Sequence, residues 1–472
     1  MFGLSTELAL ILILCLLAAC TFEFINGFHD TANAVATVIY TKSLKPTVAV
    51  VWSGIWNFLG VFVGGIAVAM GILNLLPASA LIDEDVYHSV AIILAIIVTA
   101  IIWNFGTWYF GLPCSSSHTL LGSIFGVGIA YMLLPEASSI ALNWIKVKDA
   151  GLSLLISPLI GFGLTMGLMV LMKKYFGKNS VLFDHDPKRK HPPFGVRALL
   201  ILTCTSVSFT HGSNDGQKGV GLIMIILIAI VPAKFAIDSH KSPEKLLERI
   251  ELVETHIRNI DSTKLSMEKK MASKLILEKT SHIKTMIVGI SSFDSLGKGS
   301  FELRKELTAI TKHTANILAV SVDDPVLVLS ESDIVELKKD TKNLKGYVEY
   351  APWWVLLMIS LSLGVGTMVG WKRIVVTVGE KIGKTPLTYA QGACAELVTA
   401  TTIAMSTGLG LPVSTTHILS SGIAGSMVAE DGLKNLRKKT VRNILTAWLI
   451  TLPVTISSPT FANKGLSGLD ER

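Results

Sequence analysis

Two pairs of short stretches in this 472-residue chain carry the same polar chemistry inside apolar surroundings. Asn26-Gly27-Phe28-His29-Asp30-Thr31-Ala32-Asn33-Ala34-Val35 aligns without gaps to His211-Gly212-Ser213-Asn214-Asp215-Gly216-Gln217-Lys218-Gly219-Val220. Gly111-Leu112-Pro113-Cys114-Ser115-Ser116-Ser117-His118 aligns likewise to Gly410-Leu411-Pro412-Val413-Ser414-Thr415-Thr416-His417. In the second pair the proline ends one helix and the hydroxyl run caps the next, so side-chain O–H and free backbone N–H groups converge where the helix dipole is positive. Such a site suits a phosphate-like oxyanion held by neutral donors, which can release it again. In the first pair Asp30 and Asp215 are carboxylates in apolar sequence, and an intramembrane carboxylate marks an ion or proton pathway. A carboxylate repels an oxyanion unless a cation or a proton lies between them, so the combination points to cation-coupled anion binding. Asn33 can add a neutral oxygen to the same cation. Glu396, which has no carboxylate counterpart in the first half, is expected to serve coupling or gating. His118 and His417 close the hydroxyl runs, either as helix-start hydrogen-bonders or as proton carriers.

The elements that must position these residues are membrane helices. Charged residues are 16% of the chain and hydrophobic ones 50%, with a mean hydropathy of +0.55; soluble proteins carry about 25% charge. The charge is concentrated in 236–350, where 18 Lys+Arg and 18 Asp+Glu balance. The remaining 24 Lys+Arg against 17 Asp+Glu produce the whole net charge of +7. Much of that excess sits in short basic loops (Lys173 to Arg197, Lys372 to Lys384, Lys434 to Arg442), which is a signal for cytoplasmic loops rather than for nucleic acid. A soluble enzyme, a secreted disulfide scaffold and a nucleic-acid-binding domain are thereby excluded as the main body. No nucleophile with its own base and no pair of carboxylates on one face appears, so the chain reads as no enzyme.

Apolar runs at about 5–25, 46–74, 88–110, 117–134, 151–172, 197–233, 352–371, 386–408, 415–429 and 443–457 predict an all-α polytopic protein with 10–12 membrane segments. The last run, Asn443 to Ser457, reads as a short helix or a truncated end. Asp30 precedes Pro113 by 83 positions and Asp215 precedes Pro412 by 197, or 82 once the insert is removed. Duplicated halves with Gly/Pro-broken polar segments at matching places are the mark of a secondary transporter. The resulting plan is a first repeat over 1–172, a basic loop over 173–196, the start of a second repeat over 197–235, a soluble helical insert over 236–350 and the rest of the second repeat over 351–472. In the insert, Ser242-Pro243-Glu244 makes a helix start, and Leu246, Ile250, Val253 and Ile257 recur three or four apart. The five cysteines (Cys15, Cys20, Cys114, Cys204, Cys394) show no metal spacing and read as reduced thiols. Leu17-Ala18-Ala19-Cys20 matches a lipoprotein cleavage box, but no Lys or Arg precedes the apolar run, so the first segment is expected to stay as a helix.

The paired motifs resemble the inorganic phosphate transporter (PiT) family over almost the whole chain, and the likeness is greatest to its bacterial low-affinity, proton-coupled branch. The resemblance implies an inverted-repeat symporter of the bacterial inner membrane, with both termini outside, the insert cytoplasmic and phosphate held near the midplane. Phosphate contacts would fall on Ser115, Ser116, Ser117, Thr119, Ser414, Thr415 and Thr416. Cation-linked positions would fall on Asp30, Asn33, Asn214 and Asp215. The chain departs from the sodium-coupled pattern at His29, at Gln217-Lys218 and at Asn57, and these departures favour protons. Lys218, three residues after Asp215, stands where sodium-coupled relatives carry a neutral oxygen. It is expected to act as a tethered cation, leaving Asp30 with His29 as the half that exchanges a proton.

The expected partners are inorganic phosphate, a coupling proton or sodium ion, the lipid bilayer and optionally a second copy of the chain. Neither an organic cofactor nor a resident metal is expected, although a metal–phosphate complex is within the substrate range. A sodium-coupled phosphate or sulfate carrier and a non-transporting membrane phosphate sensor are the alternatives.

Overall fold

The computed structural model describes residues 2–75, 86–132, 144–177, 181–183, 191–261, 265–319 and 331–467. The basic-loop residues Lys178, Lys188, Arg189 and Lys190 lie outside the described residues. The described chain is helical and divides into two compact units. One contains Leu10–Ile226 and everything from Ala351 onward; the other contains the N-terminal residues through Ala9 together with Leu227–Tyr350.

The first unit holds α1 (Thr6–Asp30), α2 (Ala32–Tyr40), α3 (Pro46–Val63), α4 (Ala67–Leu73), α5 (Val86–Tyr109), α6 (Ser116–Met132), α7 (Trp144–Phe176), α8 (Phe194–His211) and most of α9 (Gln217–Ile230). Among the described residues each apolar run read from the sequence is mostly helix, and the run at 46–74 is broken between α3 and α4. Five stretches among the described residues are long and apolar enough to cross a bilayer: Thr6–Tyr40, Pro46–Val63, Val86–Tyr109, Val147–Phe176 and Phe194–Ile230. This is fewer than the ten to twelve spans expected, because helices such as α6 are short or polar where they carry the hydroxyl motifs.

The second unit is a four-helix bundle of α11 (Pro243–Arg258), α12 (Met267–Ile287), α13 (Gly299–Leu318) and α14 (Glu331–Val348), preceded by the single turn α10 (Pro232–Phe235). Each long helix packs on its neighbour and α11 closes the ring on α14. Ser242 caps α11 by accepting from Lys245 N at 3.4 Å, and Leu246, Ile250, Val253 and Ile257 all enter the core, as their spacing requires. Arg304, buried on α13, donates from Nη1 to Ala236 O at 2.9 Å and to Val348 O at 2.7 Å. It thus ties together the two ends of the bundle, which also meet where Asp238 N donates to Tyr347 O at 3.0 Å. Burial pulls the Arg304 guanidinium down to about 10, so it stays cationic at neutral pH.

After the bundle, the membrane unit resumes with α15 (Trp353–Met368), α16 (Lys372–Val376), α17 (Tyr389–Gly408), α18 (Thr415–Asp431) and α19 (Lys438–Ser467). The last helix therefore continues well past Ser457 instead of ending as a short one, carrying Pro453 and Pro459 within it. The halves interlock. α6 packs against α19, and α18 packs against α7, so each hydroxyl-run helix pairs with the closing helix of the other half. The close approaches recur in register too. A Cβ at Gly60 would lie 2.1 Å from Phe209 O on α8, and one at Gly366 would lie 2.2 Å from Phe24 O on α1.

Two turns deliver the hydroxyl runs. Gly111 and Gly410 adopt φ of +66° and +68°, the left-handed region open to glycine. In each the following residue donates back across the helix end, Leu112 N to Thr107 O and Leu411 N to Ser406 O, both at 2.9 Å.

Replacing Arg304 by Met should unfold the bundle at lower temperature. A hydrogen bond from a charged donor contributes about 1.5–3 kcal/mol, and two carbonyls would lose theirs. Limited proteolysis should cut the variant first within 243–348, at temperatures where the wild-type bundle stays intact; equal resistance would show that the clamp is dispensable.

Candidate functional site

Four segments meet at a buried polar centre: the α1–α2 junction, the α8–α9 junction, and the N-termini of α6 and α18. The aspartates arrive differently. Asp30 is the last residue of α1, and Thr31 keeps helical geometry into α2. Asp215 lies in the wide π-helical turn Gly212–Gly216, a form of irregularity common at functional sites. At the other two segments, Ser115 Oγ accepts from His118 N at 3.2 Å and Ser414 Oγ from His417 N at 3.1 Å. These caps leave the first N–H groups of α6 and α18 without a carbonyl of their own helix. All these polar residues are buried.

The hydroxyls turn toward the carboxylates. Asp30 Oδ1 accepts from Asn33 Nδ2 at 3.1 Å and from Thr416 Oγ1. Ser116 Oγ lies 3.1 Å from Asp30 Oδ2 and 2.7 Å from Asn26 Oδ1, so two acceptors compete for one proton. Asp215 Oδ2 accepts from Thr415 Oγ1 at 3.3 Å, and Asp215 Oδ1 lies 2.6 Å from Lys218 Nζ. Lys218 Nζ also reaches Ser117 Oγ at 2.5 Å and Val413 O at 3.2 Å. The ammonium therefore has a carboxylate, a hydroxyl and a carbonyl oxygen around it, the kind of oxygen set that holds a small hard cation. Lys218 is 1% exposed, so it does not snorkel to an interface.

Between the aspartates stands His211. Its Nε2 is 3.6 Å from Asp30 Oδ2 and 3.5 Å from Asp215 Oδ2, and its Nδ1 is 2.8 Å from Asn57 Oδ1. An amide oxygen on Nδ1 requires a proton there, which leaves Nε2 to carry a second proton or to offer its lone pair to a cation. Asp30, His211 and Asp215 each offer an atom within 4.8 Å of the others, and Asn33 Oδ1 beside them is buried without a hydrogen-bond partner. These donors fit a cation.

Not every residue singled out from the sequence faces this centre. Asp30, Asn33, Asp215, Lys218, Ser116, Ser117, Thr415 and Thr416 are brought together, while Ser115 and Ser414 serve as caps. Thr119 turns its hydroxyl back to Ser115 O at 3.0 Å. Asn214 donates to Thr407 Oγ1 at 3.0 Å and Leu411 O at 3.3 Å, holding the turn before the second hydroxyl run. His29 Nε2 lies 3.2 Å from Thr107 Oγ1, with Nδ1 3.8 Å from Asp30. The rings of His118 and His417 lie 4.4 Å apart and tilted, and His417 stacks on Trp448 at 3.9 Å. Glu396, buried on α17, bonds Thr37 of α2 and Thr203 of α8, apart from the aspartates. Sequence reasoning passed over His211, although it is the aligned partner of Asn26 and sits four residues before Asp215. It also passed over Glu23, an acid within the first apolar run.

The chain is similar to known proteins along nearly its whole length. The chain is 38% identical to the low-affinity inorganic phosphate transporter PitB of Escherichia coli K12, with 96% of each chain covered. It is 39% identical to the low-affinity inorganic phosphate transporter of Buchnera aphidicola subsp. Acyrthosiphon pisum, again over 96% of each. Among solved structures, a sodium-dependent phosphate transporter shares the fold with a TM-score of 0.53 at 18% identity, covering 97% of this chain and 99% of that one. The model of the phosphate transporter family matches residues 26–458, which take in both aspartate motifs and both hydroxyl runs, and the chain belongs to that family.

Proposed function

We propose that this protein imports inorganic phosphate across the bacterial inner membrane by proton symport, with its two halves arranged as inverted repeats and the insert in the cytoplasm. The observation that carries this reading is the convergence of two helix N-termini and two aspartates on one buried centre, with hydroxyls from both halves donating to carboxylates. Each such hydroxyl has a single proton. While Asp30 and Asp215 take those protons, the hydroxyls cannot donate to an anion. Positive charge arriving at the aspartates lessens their demand, and Ser116, Thr415 and Thr416 turn to phosphate. The same competition makes binding of cation and anion mutually supportive, which is the thermodynamic content of symport.

Lys218 fills the second half's share of this role. It stands at the position aligned to Asn33, and its ammonium occupies an oxygen cage that would otherwise take a free ion. A second reading, phosphate entering as a divalent metal complex, is favoured by the Asp30–His211–Asp215 donor set. It differs in its requirement for free divalent metal, so chelation in the uptake assay separates the two.

In vesicles carrying the protein, an inward proton gradient without sodium should accumulate labelled phosphate, and Asp30→Asn or Asp215→Asn should nearly abolish this. Accumulation under a sodium gradient alone, or binding without accumulation, would sink proton symport. Ser116→Ala and Thr415→Ala should each raise the half-saturating phosphate concentration about ten- to a hundredfold, since a hydrogen bond to a charged ligand contributes about 1.5–3 kcal/mol. Unchanged half-saturation in both would move the anion elsewhere. Lys218→Asn should make uptake depend on sodium; sodium-indifferent, wild-type uptake would reject the tethered cation.

A further inference from the structure

A chain of hydrogen bonds leads from Asp30 to a carboxyl group that the scheme above leaves unused. Asn26, which competes with Asp30 for the Ser116 proton, donates from Nδ2 to Glu23 Oε2 at 3.1 Å. Glu23 lies one helical turn below Asn26 on α1 and is fully buried. Its second oxygen, Oε1, has no hydrogen-bond partner. Among the described residues no Lys, Arg or His nitrogen stands within ion-pairing distance of it.

Its surroundings are built around the carboxyl group. α9 comes closest at Gly219, where a Cβ would lie 2.4 Å from Glu23 Cγ and 2.5 Å from Oε1. Any larger residue there would displace the acid. The titratable groups acting on it are Asp215, Lys218 and His211 from the α8–α9 segment and Cys20 from its own helix. α15, which packs on α1 at Gly366, carries no titratable side chain.

The two acids of α1 thus differ. Asp30 is met by three donors, the complement that a carboxylate anion accepts. Glu23 is met by one, is fully buried, and has no counter-ion within ion-pairing distance among the described residues. A carboxylate buried in that way is costly, and the neutral acid avoids most of the cost.

We propose that Glu23 carries the coupling proton, an inference that rests on the proton-symport reading. The step is a plain ionisation: the O–H bond of the acid breaks to release a proton to the side the site opens to, and it forms again with a proton from the other side. No bond to phosphate is made. The charge on Glu23 acts on the anion site through one amide, because Asn26 sets which acceptor takes the Ser116 proton.

The test uses the full chain in proteoliposomes, with Glu23→Gln and Glu23→Asp. Glu23→Gln should keep phosphate–phosphate exchange, which needs no net proton movement, while proton-driven accumulation falls by about tenfold or more and exchange loses its pH dependence. Glu23→Asp should restore accumulation with a displaced pH profile. Accumulation with the wild-type pH profile in Glu23→Gln overturns the proposal. Loss of exchange together with accumulation overturns it too, since it would make Glu23 part of the binding framework or the fold. A wild type indifferent to the proton gradient would sink the symport reading itself, whereas a proton-driven wild type with an unaffected Glu23→Gln sinks the Glu23 assignment alone.

Discussion

Two carboxylates face one imidazole nitrogen in the buried interior of the membrane unit, and the rest of that unit follows from it. Coulomb repulsion between like charges a few ångströms apart is several-fold larger in such a medium than in water. Asp30 and Asp215 therefore need positive charge or hydrogen-bond donors close by, and the fold brings both. His211 and Lys218 come from the same segment as Asp215, while hydroxyls come from two helix starts that lie far apart in sequence. Those helices must begin at the centre, and this requires the matched glycine turns at Gly111 and Gly410. The α8–α9 segment must widen there as well, and it does so at Gly212–Gly216. Irregular backbone at membrane depth is tolerated only where protein surrounds it, and the tight approaches at Gly60 and Gly366 supply that cover.

The helical bundle over 243–348 answers to a different solvent. Charges over 236–350 balance at 18 of each sign, and its helices bury a core that includes Leu246, Ile250, Val253 and Ile257. Its ends are joined through Arg304, so the polypeptide leaves close to where it enters. A module with adjacent ends can sit between the second aspartate motif and the second hydroxyl run without disturbing either, and with its 115 residues set aside the aspartate-to-proline spacing is 82 against 83 in the first half.

Much of this was legible in the residues, and the exceptions have physical reasons. The capping roles of Ser115 and Ser414 follow from Pro before a hydroxyl run, and the bundle core follows from the spacing of Leu246, Ile250, Val253 and Ile257. Both depend on neighbours within a few positions. What stayed hidden depends on distant contacts. Nothing near Thr119 says that its hydroxyl turns to its own helix, and nothing near Glu396 says that two threonines from α2 and α8 enclose it. His211 was in view as the partner of Asn26, but a histidine aligned with an asparagine draws attention away from the one property that matters, a ring nitrogen placed between two acids. The length of α19 was obscured by Pro453 and Pro459, which helices inside apolar surroundings can accommodate.

The exchange of partners between the halves bears on how the protein is made. α6 emerges from the ribosome some three hundred residues before α19, the helix it packs against, and α18 must find α7 across the whole intervening bundle. Until α19 is made, the polar face of α6 has no native cover, and the membrane holds a half-built centre whose acids and hydroxyls satisfy one another provisionally. Contacts so distant along the chain close late. The first half is therefore expected to wait in the bilayer as a substrate for chaperones and proteases, and the arrival of α19 decides whether the molecule is kept.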